Sequence, residues 1–304
     1  MLRQRFGIEL EYNSIPDDKL EENKLPSGIM EAACVLKETI NKTIFVSNWH
    51  TTTGNDYWVV KPDSSCGFEV CSPILKSKND LFELKKIIKS LRKNGSFSSD
   101  KRCSFHVHFE LNDTSNNFLS NMIISWIKLE IFLYLLLPNY RKQTNYAQIL
   151  SLSPLFFHNS NRLENFKLNQ ETIINYIKEY KFYSINLYHF KKSNRNTVEF
   201  RIMDSSACLN EEYAFSWISL LNNFMISCKD VNYFEDSTLN LDCLRWFNID
   251  EAFKFLKIKK NSKIFNFCKS RFYNYSLDTI DLKMSVFKNI FESYIKYSRN
   301  YFEN

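Results

Sequence analysis

The sequence predicts an α+β fold with a helical C-terminal part. Three observations lead there: short segments in which apolar residues alternate with period two, longer ones with helical spacing, and interspersion of the two kinds up to residue 230, with only helix and loop expected beyond it. Strands are expected at 4–12, 56–61, 67–72, 103–110, 184–190 and 196–203, where β-branched and aromatic residues concentrate. Helices are expected at 28–42, 78–94, 116–137, 171–181, 210–229, 250–257, 262–271 and 281–302.

The segments are justified in order. The first strand alternates Phe6, Ile8 and Leu10 with Gly7, Glu9 and Glu11. Residues 57–73 read as two strands joined by a turn at Pro62-Asp63-Ser64-Ser65-Cys66-Gly67. The apolar run from Met122 to Leu137 carries Lys128 and Glu130 and falls short of a bilayer span, so it reads as a buried helix. The last Pro is Pro154, and no Gly follows Gly95, so no linker marks a clean boundary. A catalytic domain over 1–230 and a helical subdomain over 231–304 are the expected division.

Composition excludes several function classes. The 5 Gly stand at positions 7, 28, 54, 67 and 95, and no glycine-rich phosphate loop can be written from them, so P-loop and ordinary dinucleotide-binding folds are ruled out. A net charge of +6 from 40 basic and 34 acidic residues is mild and scattered, and nucleic acid is not an expected partner. Met1 to Phe6 leads directly into a strand, with no targeting segment expected, and no membrane association is foreseen. A soluble, cytoplasmic protein is the expectation, its 8 Cys reduced and mostly buried. Cys103-x-x-His106-x-His108, with Cys66 and Cys71 upstream, lacks paired zinc knuckles, so a thiol zinc site is not expected.

Four segments carry the chemistry. In a strand, Glu9 and Glu11 project from one face about 7 Å apart while Ile8 and Leu10 take the other. Glu69 lies between Phe68 and Val70, and a buried carboxylate there requires a charged partner or a cation. His106 and His108 share a strand face opposite Phe105, Val107 and Phe109. Glu199 and Arg201 repeat the spacing around Phe200, and Arg is suited to clamping oxyanions bidentately. If these strands belong to one sheet, one face becomes a cup whose carboxylates and imidazoles call for hard divalent cations such as Mg²⁺ or Mn²⁺. Each pair alone could equally be a solvated face or a cross-strand ion pair.

At these residues the sequence resembles the putative amidoligase family, a branch of the glutamine synthetase and γ-glutamyl-cysteine ligase superfamily of carboxylate–amine ligases. The matching blocks, in the family's order, are Phe6–Glu11, Trp58–Pro73, His106–His108 and Glu199–Arg201, with Pro138–Tyr146 similar to the segment after the long helix. Ser64, Ser104-Phe105 and Ser205-Ser206 depart from the family's pattern, the first two where it usually has glycines and the last where it often has Gly-Thr. The resemblance implies a glutamine synthetase-like curved, mainly antiparallel sheet with flanking helices. It implies an ATP- and Mg²⁺-dependent ligase acting through an acyl phosphate on a small-molecule or peptide carboxylate and an amine. Two metal ions are implied, one on Glu9, His106 and Glu199 and a second on Glu11 and Glu69, with Mn²⁺ able to replace Mg²⁺. Glu9, Glu11, Glu199 and Arg201 become the implied catalytic residues. His108, Arg201, Lys61 and Arg141 are implied ATP contacts, and Asp63 and Arg141 implied substrate contacts. The alternatives are a phosphotransferase of the same fold and a non-catalytic binding or structural protein.

Overall fold

The strand expected at 4–12 sits between two neighbours and fixes the register of everything around it. It is β1, Phe6–Tyr12, in a computed structural model that describes residues 4–13, 27–47, 56–95, 97–142, 144–151, 153–156, 168–192, 195–235, 238–239, 244–275 and 285–303. The protein is α+β. Its chain divides into two compact units, one made of Met1–Glu110 with Phe200–Ile218, the other of Leu111–Glu199 with Ser219–Asn304.

In the first unit the chain runs β1, α1 (Ser27–Thr39), β2 (Ile44–Val46), β3 (Trp58–Pro62), β4 (Phe68–Cys71), α2 (Lys78–Asn94) and β5 (Phe105–Glu110). These strands hydrogen-bond in the order β2-β3-β4-β1-β5. Only β2 and β3 are parallel; β3 with β4, β4 with β1, and β1 with β5 are antiparallel, so the sheet is mixed. Opposed residues share a face, so Leu10 with Phe105 and Val70, Ile8 with Val107, and Tyr12 with Phe68 build one apolar side. All of these are at most 2% exposed, each contributing roughly 1.5–3 kcal/mol for a fully buried large apolar side chain. Aromatic contacts tie that side together: Tyr12 stacks on Phe68 at 5.5 Å, and Phe109 meets Phe6 at 5.7 Å. Helix α2 starts where Ser77 and Asp80 cap one another reciprocally. It ends at Gly95, whose φ of 77° is a left-handed conformation that only glycine adopts without strain. Its Leu84, Ile87, Ile88 and Leu91 form the buried stripe that the helical spacing foretells. Helix α7 (Ser206–Leu209) and the start of α8 (Glu211–Ser227), as far as Ile218, also belong to this unit, the rest of α8 to the other.

The second unit is built around α3, Asn116–Leu135, capped by Ser115 and buried on all sides. By length and composition α3 could cross a membrane, yet its whole apolar window is buried inside the protein, which agrees with reading it as a core helix. The two charges that mark it as such are accommodated. Glu130 accepts the backbone N–H groups of Leu150 and Ser151 and the Ser184 hydroxyl, all at 2.7 Å. Lys128 donates to the Arg245 carbonyl at 3.0 Å and lies over the Phe247 ring at 4.8 Å. Around α3 come α4 (Asn139–Lys142), α5 (Gln170–Glu179), β6 (Ile185–Asn186), α6 (Tyr188–Lys192) and β7 (Thr197–Phe200), whose last residue falls in the first unit. Strands β8 (Phe234–Glu235) and β9 (Thr238–Leu239) precede α9 (Ile249–Phe255), α10 (Lys263–Tyr275) and α11 (Ser285–Glu303).

Three expectations need correction. The strand expected at 184–190 is only β6, because the Asn186 side chain accepts the Tyr188 N–H and turns the chain into α6. The segment after 230 is not only helix and loop, since β8 and β9 pair there. The strand expected at 196–203 stops at Phe200, so Arg201 follows the strand rather than lying on it. Residues 281–284, the start of the last expected helix, lie outside the described residues. The thiols of Cys71, Cys103, Cys208, Cys228 and Cys268 are buried, Cys66 half-buried and Cys34 exposed; among the described residues all are free, as expected of reduced thiols.

Candidate active site

The polar face of the first unit's sheet is set by register. Lys61, Glu69 and Glu11 stand opposite one another across β3, β4 and β1, and Cys71, Glu9 and His106 form the next row across β4, β1 and β5. His108 lies opposite Gly7. The pairs Glu9/Glu11 and His106/His108 therefore converge because antiparallel pairing keeps opposed residues on one side of the sheet.

Glu9 is the hub. Its Oε2 is 3.0 Å from His106 Nδ1 and its Oε1 3.2 Å from His108 Nε2. Burial acts to raise its pKa, but the charge and hydrogen bonds of His108 and His106 outweigh that and hold Glu9 well below the usual carboxylate range. On its other side His106 reaches toward Glu11, Nε2 to Oε1 at 3.5 Å. Both Glu11 and His106 are 3% exposed.

Glu69 shows the opposite behaviour. Burial first, then the Glu9 charge, lifts its carboxyl to about 7, although Lys61 Nζ at 2.6 Å from Oε1 pulls it back. Directly opposed Glu11 and Glu69 place two buried carboxyls side by side, an arrangement that like charges disfavour unless a cation intervenes. Cys71 joins this group: one donor atom each from Glu9, Glu69 and Cys71 lie within 4.8 Å of one another. Carboxylate oxygens and imidazoles held this closely on a buried face fit a divalent metal ion.

The remaining candidates are placed as follows. Asp63 Oδ1 accepts the backbone N–H groups of Ser65 and Cys66 at 2.7 and 3.2 Å, together with the Ser65 hydroxyl, so this side chain shapes the β3–β4 turn. Arg201 is half-buried in the first unit just past β7. Glu199 and Arg141 belong to the second unit. Glu199 is 2% exposed, its Oε2 taking a 3.0 Å hydrogen bond from Asn186 Nδ2 and lying 3.9 Å from His189 Nε2. Arg141 is 1% exposed. Asn186 is marked by nothing local in the sequence, and Cys71 is considered there only for the rejected thiol zinc site, although Glu69-x-Cys71 has the same-face spacing used for the other pairs.

A family model described as "Putative amidoligase enzyme" matches residues 2–225, about three-quarters of the chain. The chain belongs to this family. No curated protein matches the chain. Among solved structures it is similar, at 11% identity and a TM-score of 0.43, to the crystal structure of a bifunctional glutathione synthetase from Pasteurella multocida, over 90% of this chain and 48% of that one. The chain thus spans about half the length of that protein.

Proposed function

We propose that the protein is an ATP- and Mg²⁺-dependent carboxylate–amine ligase that activates its acid as an acyl phosphate. The observation that carries this is the single sheet face on which Glu9, Glu11 and Glu69 meet His106 and His108 across three hydrogen-bonded strands. Family membership supports the reaction class. The catalytic part is proposed to be residues 1–230, with a glutamine synthetase-like sheet and 231–304 as a helical addition.

An amine cannot expel oxide from a carboxylate, so the acid needs a better leaving group, and the γ-phosphate of ATP supplies one. Mg²⁺ ions, when bound, would neutralise phosphate charge during the transfer. Glu9 and His106 are proposed as ligands to one cation and Glu11 and Glu69 to a second. Glu199 is proposed as a further ligand of the first, its carboxylate held in one rotamer by Asn186. Lys61 would exchange Glu69 for a phosphate oxygen once that carboxylate is otherwise neutralised. His108 and Arg201 would hold phosphate oxygens, the Arg201 fork stabilising the equatorial charge that grows in transfer. Asp63 and Arg141 keep proposed substrate roles, Asp63 by shaping the β3–β4 turn. Arg141 is also proposed as an ATP contact.

Binding tests the reading before any substrate is known. Mg²⁺ with a nonhydrolysable ATP analogue should raise the melting midpoint, by the equivalent of about 2.7 kcal/mol at a hundredfold excess over Kd. Neither component alone should do so fully. An unmoved midpoint would contradict the proposal.

A further inference from the structure

We propose that Glu9, Glu69 and Cys71 together form a binding site for a thiophilic divalent cation, such as Cd²⁺ or Zn²⁺, which competes with the hard cation of the same face. The inference rests on the proposed metal role of Glu9 and Glu69 and adds a donor of different chemistry.

The geometry comes from register. Cys71 stands directly opposite Glu9 on the neighbouring strand, and Glu69 lies two residues earlier on the same side of β4. The three donor atoms converge within 4.8 Å. Buried thiols ordinarily pack among apolar side chains; Cys71, 1% exposed, instead stands on the carboxylate side of the sheet, while its neighbour Val70 faces the apolar core. Two carboxylate oxygens and one sulfur make a mixed set that suits Zn²⁺ or Cd²⁺ far better than Mg²⁺, which favours oxygen ligands in octahedral geometry. Lys61, 2.6 Å from Glu69, already supplies one positive charge there and would be displaced. Binding releases the Cys71 thiol proton to solvent as the sulfur–metal bond forms, with no change of oxidation state. The consequence is inhibition: a thiophilic cation that occupies Glu9 and Glu69 takes the carboxylates that the proposed hard cations need.

The test titrates the metal-free full chain with Cd²⁺ and follows the ultraviolet thiolate-to-cadmium charge-transfer band, using wild type, Cys71→Ser and Cys66→Ser. The band should develop with one Cd²⁺ in wild type and in Cys66→Ser. It should be missing in Cys71→Ser, whose Cd²⁺ affinity should fall by more than the roughly 10- to 100-fold that losing a residue behind a metal ligand costs. Excess Mg²⁺ should displace Cd²⁺ more readily from Cys71→Ser. Persistence of the band in Cys71→Ser, or its loss only in Cys66→Ser, would overturn the site. Glu69→Gln keeps the thiol and guards against a Cys71 variant that fails to fold; it should also lose affinity at least tenfold, and wild-type affinity there would refute the proposal. The two readings separate cleanly. A band that depends on Cys71 in a protein without ATP turnover sinks the ligase and keeps the cation site, whereas ATP turnover with a band independent of Cys71 does the reverse.

Discussion

Replacing Glu69 with Gln asks whether the Lys61–Glu69 contact is a structural bridge or a strained carboxylate that awaits a cation. The folded carboxyl titrates at about 7, against 4.5 for the ordinary side chain. Between those values the folded chain binds more protons than the unfolded one, so raising pH weakens the fold. At about 1.4 kcal/mol per pH unit, ionised Glu69 costs roughly 3 kcal/mol. Gln has the shape of the protonated acid and can still accept from Lys61. Without metal, Glu69→Gln should therefore match wild type near pH 4, gain stability progressively between pH 4.5 and 7, and exceed it by about 3 kcal/mol at pH 8. Urea unfolding of both proteins across that range, with chelator present, measures the difference directly. If the pair is structural, the variant should instead lose about 3–5 kcal/mol at pH 8, the usual result of breaking a buried ion pair. That outcome would refute the reasoning. Added Mg²⁺ should stabilise wild type more than Glu69→Gln.

Other perturbations have distinct signatures. Glu9→Gln and Glu199→Gln should abolish ATP turnover while circular dichroism stays native, because volume is kept and metal-binding charge is lost; full turnover at saturating Mg²⁺ would remove either residue from the site. Mn²⁺ should support turnover in place of Mg²⁺ and Zn²⁺ should not, as seen by restoring each ion to chelated protein. Arg201→Lys should lower kcat on the order of 10²-fold with an unchanged melting midpoint, since an ammonium cannot reproduce two parallel hydrogen bonds to a phosphoryl group; a normal kcat with a depressed midpoint would make Arg201 structural. Glu130→Ala should cost at least about 3 kcal/mol in denaturant unfolding, because three donors held at 2.7 Å lose their acceptor.

The site was more legible in the sequence than its surroundings. Glu9 with Glu11, and His106 with His108, could be read because alternation is a property of one strand alone, and adjacent antiparallel strands then brought the pairs onto one face. Which residues would oppose each other depended on register, which no single strand encodes, so the row joining Lys61 to Glu69 and Glu11 emerged only in three dimensions. Cys71 had the right spacing beside Glu69 but stood in the sequence only as part of the rejected thiol zinc site, because its pairing with Glu9 depends on register. Long helices were legible for the same local reason: α2 matches its expected span of 78–94, with Ser77, Asp80 and Gly95 marking its ends. The weak points were two-residue strands. β6, β8 and β9 are too short for periodicity to show, and in the case of β6 an Asn side chain diverts the backbone within two residues.

The most direct test of the ligase follows oxygen. Protein, Mg²⁺, ATP and an amine pool would be incubated with carboxylic acids labelled with ¹⁸O in the carboxyl group, and the released phosphate analysed by mass spectrometry. The account predicts ADP, an amide, and phosphate carrying one acid-derived ¹⁸O, all absent with Glu9→Gln. Unlabelled phosphate formed together with amide would contradict the acyl phosphate, and a stable phosphorylated product without amide would make the protein a phosphotransferase.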